Sequence, residues 1–355
     1  MVRIRHGSPV VVVAVVGLAL ALFGACKKDD KKSDPATGDK TGQKSGDAEK
    51  PMGGPAAMVM SAEDLSLLPL DSELVVGINV AQVQQSALWK QFIAPKMMTA
   101  DTTKKLADFR SKCGFDPMTA VRTVSIGFKG LSSDKPDGVV VVHGVDKAKS
   151  WACLDTMKAE MTADGTELTK DGDVAVFKSS KGGPPVALTF VNDNTAIAVI
   201  GDQANAAGVK AAAKGTSALK SSPPFLDMYS KVKTTDSVWG LMNGNSKVFD
   251  KMGSMGVKAK AVFGSLNVTD GLSLNLRLRL ETADAAQQLT SMSKQQMAQA
   301  AKMFDQVDVA ADGSDVKYTV VLSNQKLQQL IAQFGPMLGA FSGMGAGSTG
   351  GGGTP

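Results

Sequence analysis

Asp71-Ser-Glu-Leu-Val-Val-Gly-Ile-Asn79 is the stretch that decides the fold, because a second stretch, Asp236-Ser-Val-Trp-Gly-Leu-Met-Asn243, follows the same plan. Each begins with Asp-Ser, continues through apolar residues that include a glycine, and ends at an asparagine. Apolar runs rich in β-branched and aromatic residues are typical of strands. We therefore predict a strand in each stretch and infer that the chain contains an internal repeat.

The elements after these two strands also come in a similar order. The first strand is followed by a helix over 81–110, broken near Pro95. Helices also begin at Asp146, 202 and Thr282, and a last helix covers 325–334. Further strands are predicted at 121–129, 139–142, 174–177, 186–191, 195–200, 261–269, 272–280 and 316–322. Asp-Gly turns at 171–172 and 312–313 predict antiparallel hairpins, and each helix has a single apolar stripe. The chain is therefore predicted to be α+β, with two tandem repeats of antiparallel sheet and helices packed on one face.

Composition changes along the chain predict its domain boundaries. The stretch after the N-terminus is rich in Lys, Asp, Gly and Ser, and the C-terminal stretch is rich in Gly, Ser and Met, so neither can bury a core. The predicted units are a signal peptide (1–25), a disordered tether (26–60), a first α+β repeat (61–220), a second α+β repeat (221–335) and a flexible Gly-rich tail (336–355).

The first 26 residues have the layout of a secretory signal. Arg3 and Arg5 precede an unbroken apolar run, Val10 to Phe23, and small residues then lead to Cys26. A positive start, an apolar stretch and small residues at the end are the three parts of such a signal. We expect the chain to be exported.

Gly24-Ala25-Cys26 resembles the lipobox of bacterial lipoproteins, although Phe23 stands where that family usually has Leu. The resemblance implies that the Cys26 thiol carries a diacylglycerol and that the mature chain starts there, acylated at its new N-terminus. Two alternatives remain at this point. One is an uncleaved membrane anchor, for which the apolar run is shorter than the ~20 residues that span a bilayer. The other is ordinary cleavage after Ala21 or Ala25, which would release a secreted protein.

Two of the three cysteines lie in the predicted folded part, Cys113 and Cys153. An exported chain meets an oxidising compartment, where an even pair of cysteines favours a disulfide. Two buried free thiols are the alternative that the sequence leaves open.

Composition argues against several functions. The formal net charge is +5 among 39 basic and 34 acidic residues, with no basic cluster among aromatics, so we expect no nucleic-acid binding. His143 is the only histidine outside the signal, and it lies in a predicted strand. Catalytic triads and most zinc sites are therefore not expected. The 18 methionines are spread over tether, helices and tail, so we predict no metal site from them. The sequence also singles out no catalytic residue and no cofactor.

The Leu68-Pro-Leu-Asp71 stretch, the Lys112-Cys-Gly-Phe-Asp-Pro117 turn and the helix with Cys153 resemble uncharacterised myxobacterial-type envelope lipoproteins, a group that implies no activity.

The leading hypothesis is a non-enzymatic, lipid-anchored cell-envelope protein with a binding or structural role. The partners would be the membrane, through the lipid, and an envelope protein or apolar ligand. Lys27-Lys28 lacks an acidic retention signal, which favours the outer membrane, with the domain in the periplasm or at the cell surface. The alternatives are a carrier of an apolar ligand in a groove between sheet and helices, and a hydrolase that uses carboxylates.

Overall fold

The computed structural model of this chain describes residues 63–131, 137–215, 219–244, 249 and 258–330. These ranges contain most of the two predicted repeats, 61–220 and 221–335. The predicted signal peptide (1–25), tether (26–60) and tail (336–355), and with them Cys26, lie outside the described residues.

Ten of the twelve strands in the described residues fall close to positions predicted above, and the other two, Thr166–Asp171 and Gln306–Asp312, complete the two hairpins that the Asp-Gly turns predict. They are β1 (Leu74–Asn79), β2 (Thr123–Lys129), β3 (Asp137–His143), β4 (Thr166–Asp171), β5 (Val174–Ser179), β6 (Val186–Asn192), β7 (Thr195–Ile200), β8 (Val238–Asn243), β9 (Ala259–Asn267), β10 (Leu272–Leu280), β11 (Gln306–Asp312) and β12 (Asp315–Leu322). The Asp-Gly turns predicted between β4 and β5 and between β11 and β12 are present. Gly172 and Gly313 there have φ of 61° and 59°, a conformation that glycine adopts at little cost.

These strands form one sheet in the order β11-β12-β10-β9-β8-β1-β2-β3-β7-β6-β5-β4. Every neighbouring pair in it is antiparallel. The coarse prediction of a mixed helix and strand fold built on antiparallel sheet is therefore confirmed. The two halves of the chain share this one sheet.

The two stretches that decide the fold are neighbours at the centre of the sheet. Leu74 lies opposite Met242, and Ile78 lies opposite Val238. Backbone hydrogen bonds extend the ladder beyond both ends of this register. The Asn79 N–H donates to the Ser237 carbonyl at 2.8 Å, and the Asn243 N–H donates to the Glu73 carbonyl at 2.9 Å. The β1–β8 ladder is thus the join between the halves.

Eight helices accompany the sheet within the described residues. They are α1 (Val80–Gln85), α2 (Ala94–Met97), α3 (Ala100–Cys113), α4 (Pro117–Ala120), α5 (Lys147–Ala163), α6 (Ala206–Lys214), α7 (Pro223–Tyr229) and α8 (Ala283–Ala300), with a π-helical turn at Trp89–Ile93 and 3-10 turns at Asp64–Ser66, Leu219–Ser221 and Ala301–Met303. Residues 324–330 are also helical.

The helix predicted over 81–110, with a break near Pro95, is divided more finely than expected. Ser86 and Thr99 interrupt it, because each side chain accepts a hydrogen bond from a backbone N–H three residues later, at 3.1 and 3.2 Å. Such bonds are typical of helix starts. Pro95 lies in the first turn of α2, where its missing N–H costs no helical hydrogen bond. The predicted helix starts at Asp146 and Thr282 are confirmed, since each side chain accepts from the N–H three residues on.

The sheet has two apolar faces. Residues opposite one another in register share a face, and consecutive residues alternate. We call face A the face that carries Val75, Val141 and Trp239, and face B the face that carries Val76, Val142 and Met242. Helices α6 and α7 pack on face A, where Val209, Phe225 and Met228 join its core cluster. Helices α5 and α8 pack on face B, through Leu154 and Ala286.

The expectation that all helices lie on one face is therefore wrong. The reason is in β3 and β7, where runs such as Val139–Val142 are buried on both sides. A strand that is apolar on both sides must be covered on both faces. The apolar stripe of a helix indicates which side of the helix is buried, but it does not indicate which face of the sheet the helix covers.

An ion network joins α7 to the second half of the sheet. The Arg279 guanidinium donates from Nε and Nη2 to the two carboxylate oxygens of Asp315, at 2.7 and 3.0 Å, and its Nη1 lies 2.7 Å from Asp227. Lys231 lies 3.4 Å from Asp315. The Asp315 side chain is only 2% exposed. Hydrogen bonds to these two carboxylates, above all the one to Asp315, raise the pKa of the Arg279 guanidinium.

Replacing Asp315 with Ala should lower the free energy of unfolding by about 3 kcal/mol, because it leaves the partly buried Arg279 without its main partner. Urea denaturation of the purified protein measures this change. Asp312→Ala is the matched control, since Asp312 also pairs with an arginine but is 61% exposed, and an exposed pair contributes at most about 1 kcal/mol. Equal losses in the two variants would contradict this account of the network.

Candidate functional site

Cys113 and Cys153 are joined by a disulfide, as the sequence predicts. Cys113 is the last residue of α3, and Cys153 lies in the second turn of α5. Their Cα atoms are 4.5 Å apart, within the range that a disulfide spans. The bond fastens α3, which follows the segmented helical stretch after β1, to α5 on face B.

The disulfide lies in a small apolar cluster of its own. Phe109, Phe115 and Met157 pack around it, and the two rings meet edge to face with centroids 5.3 Å apart. The Met157 Sδ lies 3.6 Å from the Cys113 Sγ and 3.7 Å from the Cys153 Sγ. Neither bonded cysteine carries a proton, so these are van der Waals contacts between sulfur atoms. The position of Met157 beside both cysteines was not anticipated from the sequence, although its spacing of four from Cys153 places the two on one helix face.

Reduction of the disulfide should lower the free energy of unfolding by about 3 to 4 kcal/mol, the chain-entropy value for a loop of about 40 residues. Denaturation curves recorded with and without dithiothreitol measure this loss. The variant with both Cys113→Ser and Cys153→Ser is the control, because reductant should leave its stability unchanged. A wild-type curve that reductant does not move would contradict a structural disulfide.

His143 has partners that the sequence did not predict. Its Nε2 lies 2.8 Å from Asp64 Oδ1, and its Nδ1 lies 3.1 Å from the Thr195 hydroxyl. Ser125 also donates to the Asp64 carboxylate. With a proton on Nε2, the ring donates to Asp64, and its Nδ1 accepts from the Thr195 hydroxyl.

This chain of carboxylate, imidazole and hydroxyl has the connectivity of a catalytic triad, but its burial favours a structural role. Asp64 is 1% exposed and Thr195 is 6% exposed, so the hydroxyl is not presented to a substrate. A nucleophile must reach a reacting atom, and geometry is the first requirement. The observed role is to hold the 3-10 turn at Asp64–Ser66 onto β2 and β3. No signal in the sequence could have paired residues 79 positions apart.

Two acidic side chains beside Arg279 and Arg277, Asp227 and Asp312, are held in the charged form. Hydrogen bonds from Arg279 and Arg277 hold the pKa of Asp227 and Asp312, respectively, below the ordinary value for a carboxyl. A general acid needs a raised pKa. These convergent carboxylates therefore act as ion-pair partners in the network and do not supply the acid that a hydrolase needs.

A small cavity opens on face A, at the end of β1 and β8. Leu70, Val75, Phe225, Met228 and Leu241 contribute most of its apolar wall. Its volume is about 60 Å³, room for roughly two water molecules at their share of liquid volume. The cavity is too small for an acyl chain.

Face B carries a broader apolar surface at the centre of the sheet. We call it the central strip, and define it by the side chains of Leu74, Val76, Ile78, Val238, Met242, Val262, Leu266, Leu274 and Leu276. All of them are half-buried, in contrast to the fully buried face B residues of β3 and β7. The strip lies between the cluster that α5 covers and the cluster that α8 covers.

Other expected features have these outcomes. Cys26, the predicted lipidation site, lies outside the described residues. Among the residues that the structure describes, no helix has the length and apolar character needed to cross a bilayer. In that same part of the chain, no cluster of three or more His, Cys, Asp and Glu side chains is arranged to hold a metal ion.

Comparison with known proteins gives two similar solved structures. No known protein family and no curated protein matches the sequence. Crystal form III of a protein called TP0453 is 12% identical, with a TM-score of 0.47, over 76% of this chain and 97% of that one. Crystal form I of TP0453 is 13% identical, with a TM-score of 0.44, over 78% of this chain and 98% of that one. These values assign neither a family nor an activity to the chain.

Proposed function

We propose that this chain is a non-enzymatic protein of the bacterial cell envelope, held to a membrane by a lipid on Cys26 and acting there as a binding or structural module. The observation that carries the proposal is the disulfide between Cys113 and Cys153. Disulfides of this kind form and persist outside the reducing cytosol. The signal-like first 26 residues supply the export that such a bond requires.

In this proposal the tether sets the distance of the folded part from the membrane. Residues 26–60 would keep the folded part clear of the headgroups, with a reach of about 30 Å by random-coil scaling. The first described element, the 3-10 turn at Asp64–Ser66, is fixed to the sheet through Asp64 and His143. A force on the tether would therefore act on the buried hydrogen bond between Asp64 and His143. Lys27-Lys28 favours the outer membrane as the site of anchoring.

Intact-mass analysis of protein extracted from membranes with detergent tests the anchor. The expected mass is that of a chain starting at Cys26 plus a diacylglycerol and a fatty acid. Cys26→Ser is the matched control, and it should carry no acyl mass. A full-length wild-type chain, or a chain cleaved after Ala21 or Ala25 with no acyl group, would refute lipid anchoring.

We further propose that the two halves are repeats of one unit, as their order in the sheet supports. Strands β1-β2-β3 run outward from the centre on one side, and β8-β9-β10 do so on the other. After the third strand of each set comes a long helix on face B, α5 or α8. The chain then returns so that β7 pairs with β3 and β12 pairs with β10. The β4–β5 hairpin is an addition in the first half.

A second candidate function is the carriage of an apolar ligand, and the central strip favours it. Nine aliphatic or thioether side chains lie there on neighbouring strands without being fully buried. Contiguous, partly accessible apolar surfaces mark sites for partners, lipids or ligands. An acyl chain or an apolar segment of another envelope protein would fit this chemistry.

Leu274→Gln should weaken the binding of a fluorescent fatty-acid analogue about tenfold, since losing the burial of one leucine costs about 1.5 to 3 kcal/mol. Fluorescence titration measures the dissociation constant. Asn275→Gln is the matched control, because the adjacent residue of β10 points to face A. If the wild-type protein does not bind the analogue, or if the two variants bind it equally, the strip is not a ligand site.

A further inference from the structure

Three sulfur atoms converge between α3 and α5, and the proposed function uses only two of them. Cys153 and Met157 are four residues apart on α5 and share one helix face. Cys113 reaches them from the C-terminus of α3. The Met157 Sδ is nearly equidistant from the two cysteine sulfurs, at 3.6 and 3.7 Å.

These separations resemble the edges of a three-coordinate metal site. Metal–thiolate bonds are about 2.3 Å long. Three sulfurs arranged trigonally around one ion at that distance are therefore separated from one another by about 4 Å. Two of the three separations are already close to this value. The third is the disulfide bond, which opens when it is reduced.

The type of the ligand atoms and their burial determine which ion would bind. The three sulfur residues pack with Phe109 and Phe115 in one apolar cluster. Cys153 is 1% exposed and Cys113 is 8% exposed, so an ion there would lose its water. Soft thiolate and thioether ligands favour Cu(I), whereas hard cations require oxygen ligands.

We propose that the reduced form of this cluster binds Cu(I), with the thiolates of Cys113 and Cys153 and the thioether of Met157 as its three ligands. Reduction requires a dithiol. The dithiol gives two electrons and two protons to the disulfide and itself becomes a disulfide, and the chain gains two thiols. Binding then releases the two thiol protons and leaves copper in the Cu(I) state.

Titration of the purified chain with Cu(I) under anaerobic conditions tests the site. The disulfide is first reduced with dithiothreitol, the reductant is removed, and the chain competes with bicinchoninate for the ion. We expect one Cu(I) per reduced chain, together with thiolate-to-copper absorption in the near ultraviolet. The oxidised chain should take up none.

Met157→Leu distinguishes the three-sulfur site from a site of two thiolates. It should weaken Cu(I) binding by about tenfold or more, a typical cost of losing a group that supports a metal site. Met161→Leu is the matched control, because Met161 lies one turn further along α5 and packs against the sheet. That variant should bind Cu(I) like the wild type.

Three results would overturn the proposal. The first is a reduced chain that keeps its fold by circular dichroism but takes up no Cu(I). The second is equal affinity of Met157→Leu and the wild type. The third is loss of the fold on reduction, since the three ligands come together only when α3 and α5 are packed.

Discussion

The pairing of β1 with β8 is the interaction on which the architecture depends. It joins strands from opposite halves of the chain and places them at the centre of a twelve-stranded sheet. Its ladder extends from Leu74 opposite Met242 to Ile78 opposite Val238. Without it, each half would expose an unpaired strand edge, which is a template for aggregation. With it, the sheet that the described residues form has β11 and β4 as its edge strands, and these carry charged residues such as Asp308, Glu167 and Lys170.

A sheet joined in this way has two faces to cover, and the two halves cover them differently. In the first half both faces are apolar, so α5 covers face B while α6 and α7 cover face A. In the second half α8 covers face B, whereas β10 and β12 present Arg277, Arg279 and Asp315 on face A. The ion network links α7 to β10 and β12, beside the hydrophobic contact that α7 makes with Trp239 and Phe263 on the same face. Because Asp315 is nearly fully buried, the network is sensitive to the loss of a single carboxylate.

The helical layer on face B explains why the cysteines and the central strip belong to one region. The disulfide fastens α3 to α5. The strip begins where the covering by α5 ends and continues to the cluster that α8 covers. The half-buried apolar side chains of the strip, in contrast to the fully buried valine, alanine and isoleucine side chains on face B of β3 and β7, mark the place where the sheet is least covered by described helices. A ligand or partner would gain apolar burial at this strip, while the disulfide keeps the adjacent helices in place.

Much of the candidate site could not be predicted from the sequence. Asp64 and His143 are 79 residues apart, and their contact depends on how a 3-10 turn packs over β2 and β3. Met157 could be placed on the same helix face as Cys153, but not beside Cys113, because that distance depends on how α3 packs on α5. The cysteine pairing itself was predictable, since the two cysteines of the predicted folded part, Cys113 and Cys153, have one intramolecular pairing.

The sequence by itself determined most of the strands, some of the helix starts, the hairpin turns and the antiparallel character of the sheet. These depend on alternation, on N-cap side chains such as Asp146, and on Asp-Gly pairs, which are all local. Only the tertiary structure decided that the two halves share one sheet and that helices cover both of its faces. Strand order and helix placement depend on contacts between residues far apart in the chain, such as Val76 with Gly240. A pattern within one segment carries no information about which distant segment will bury it.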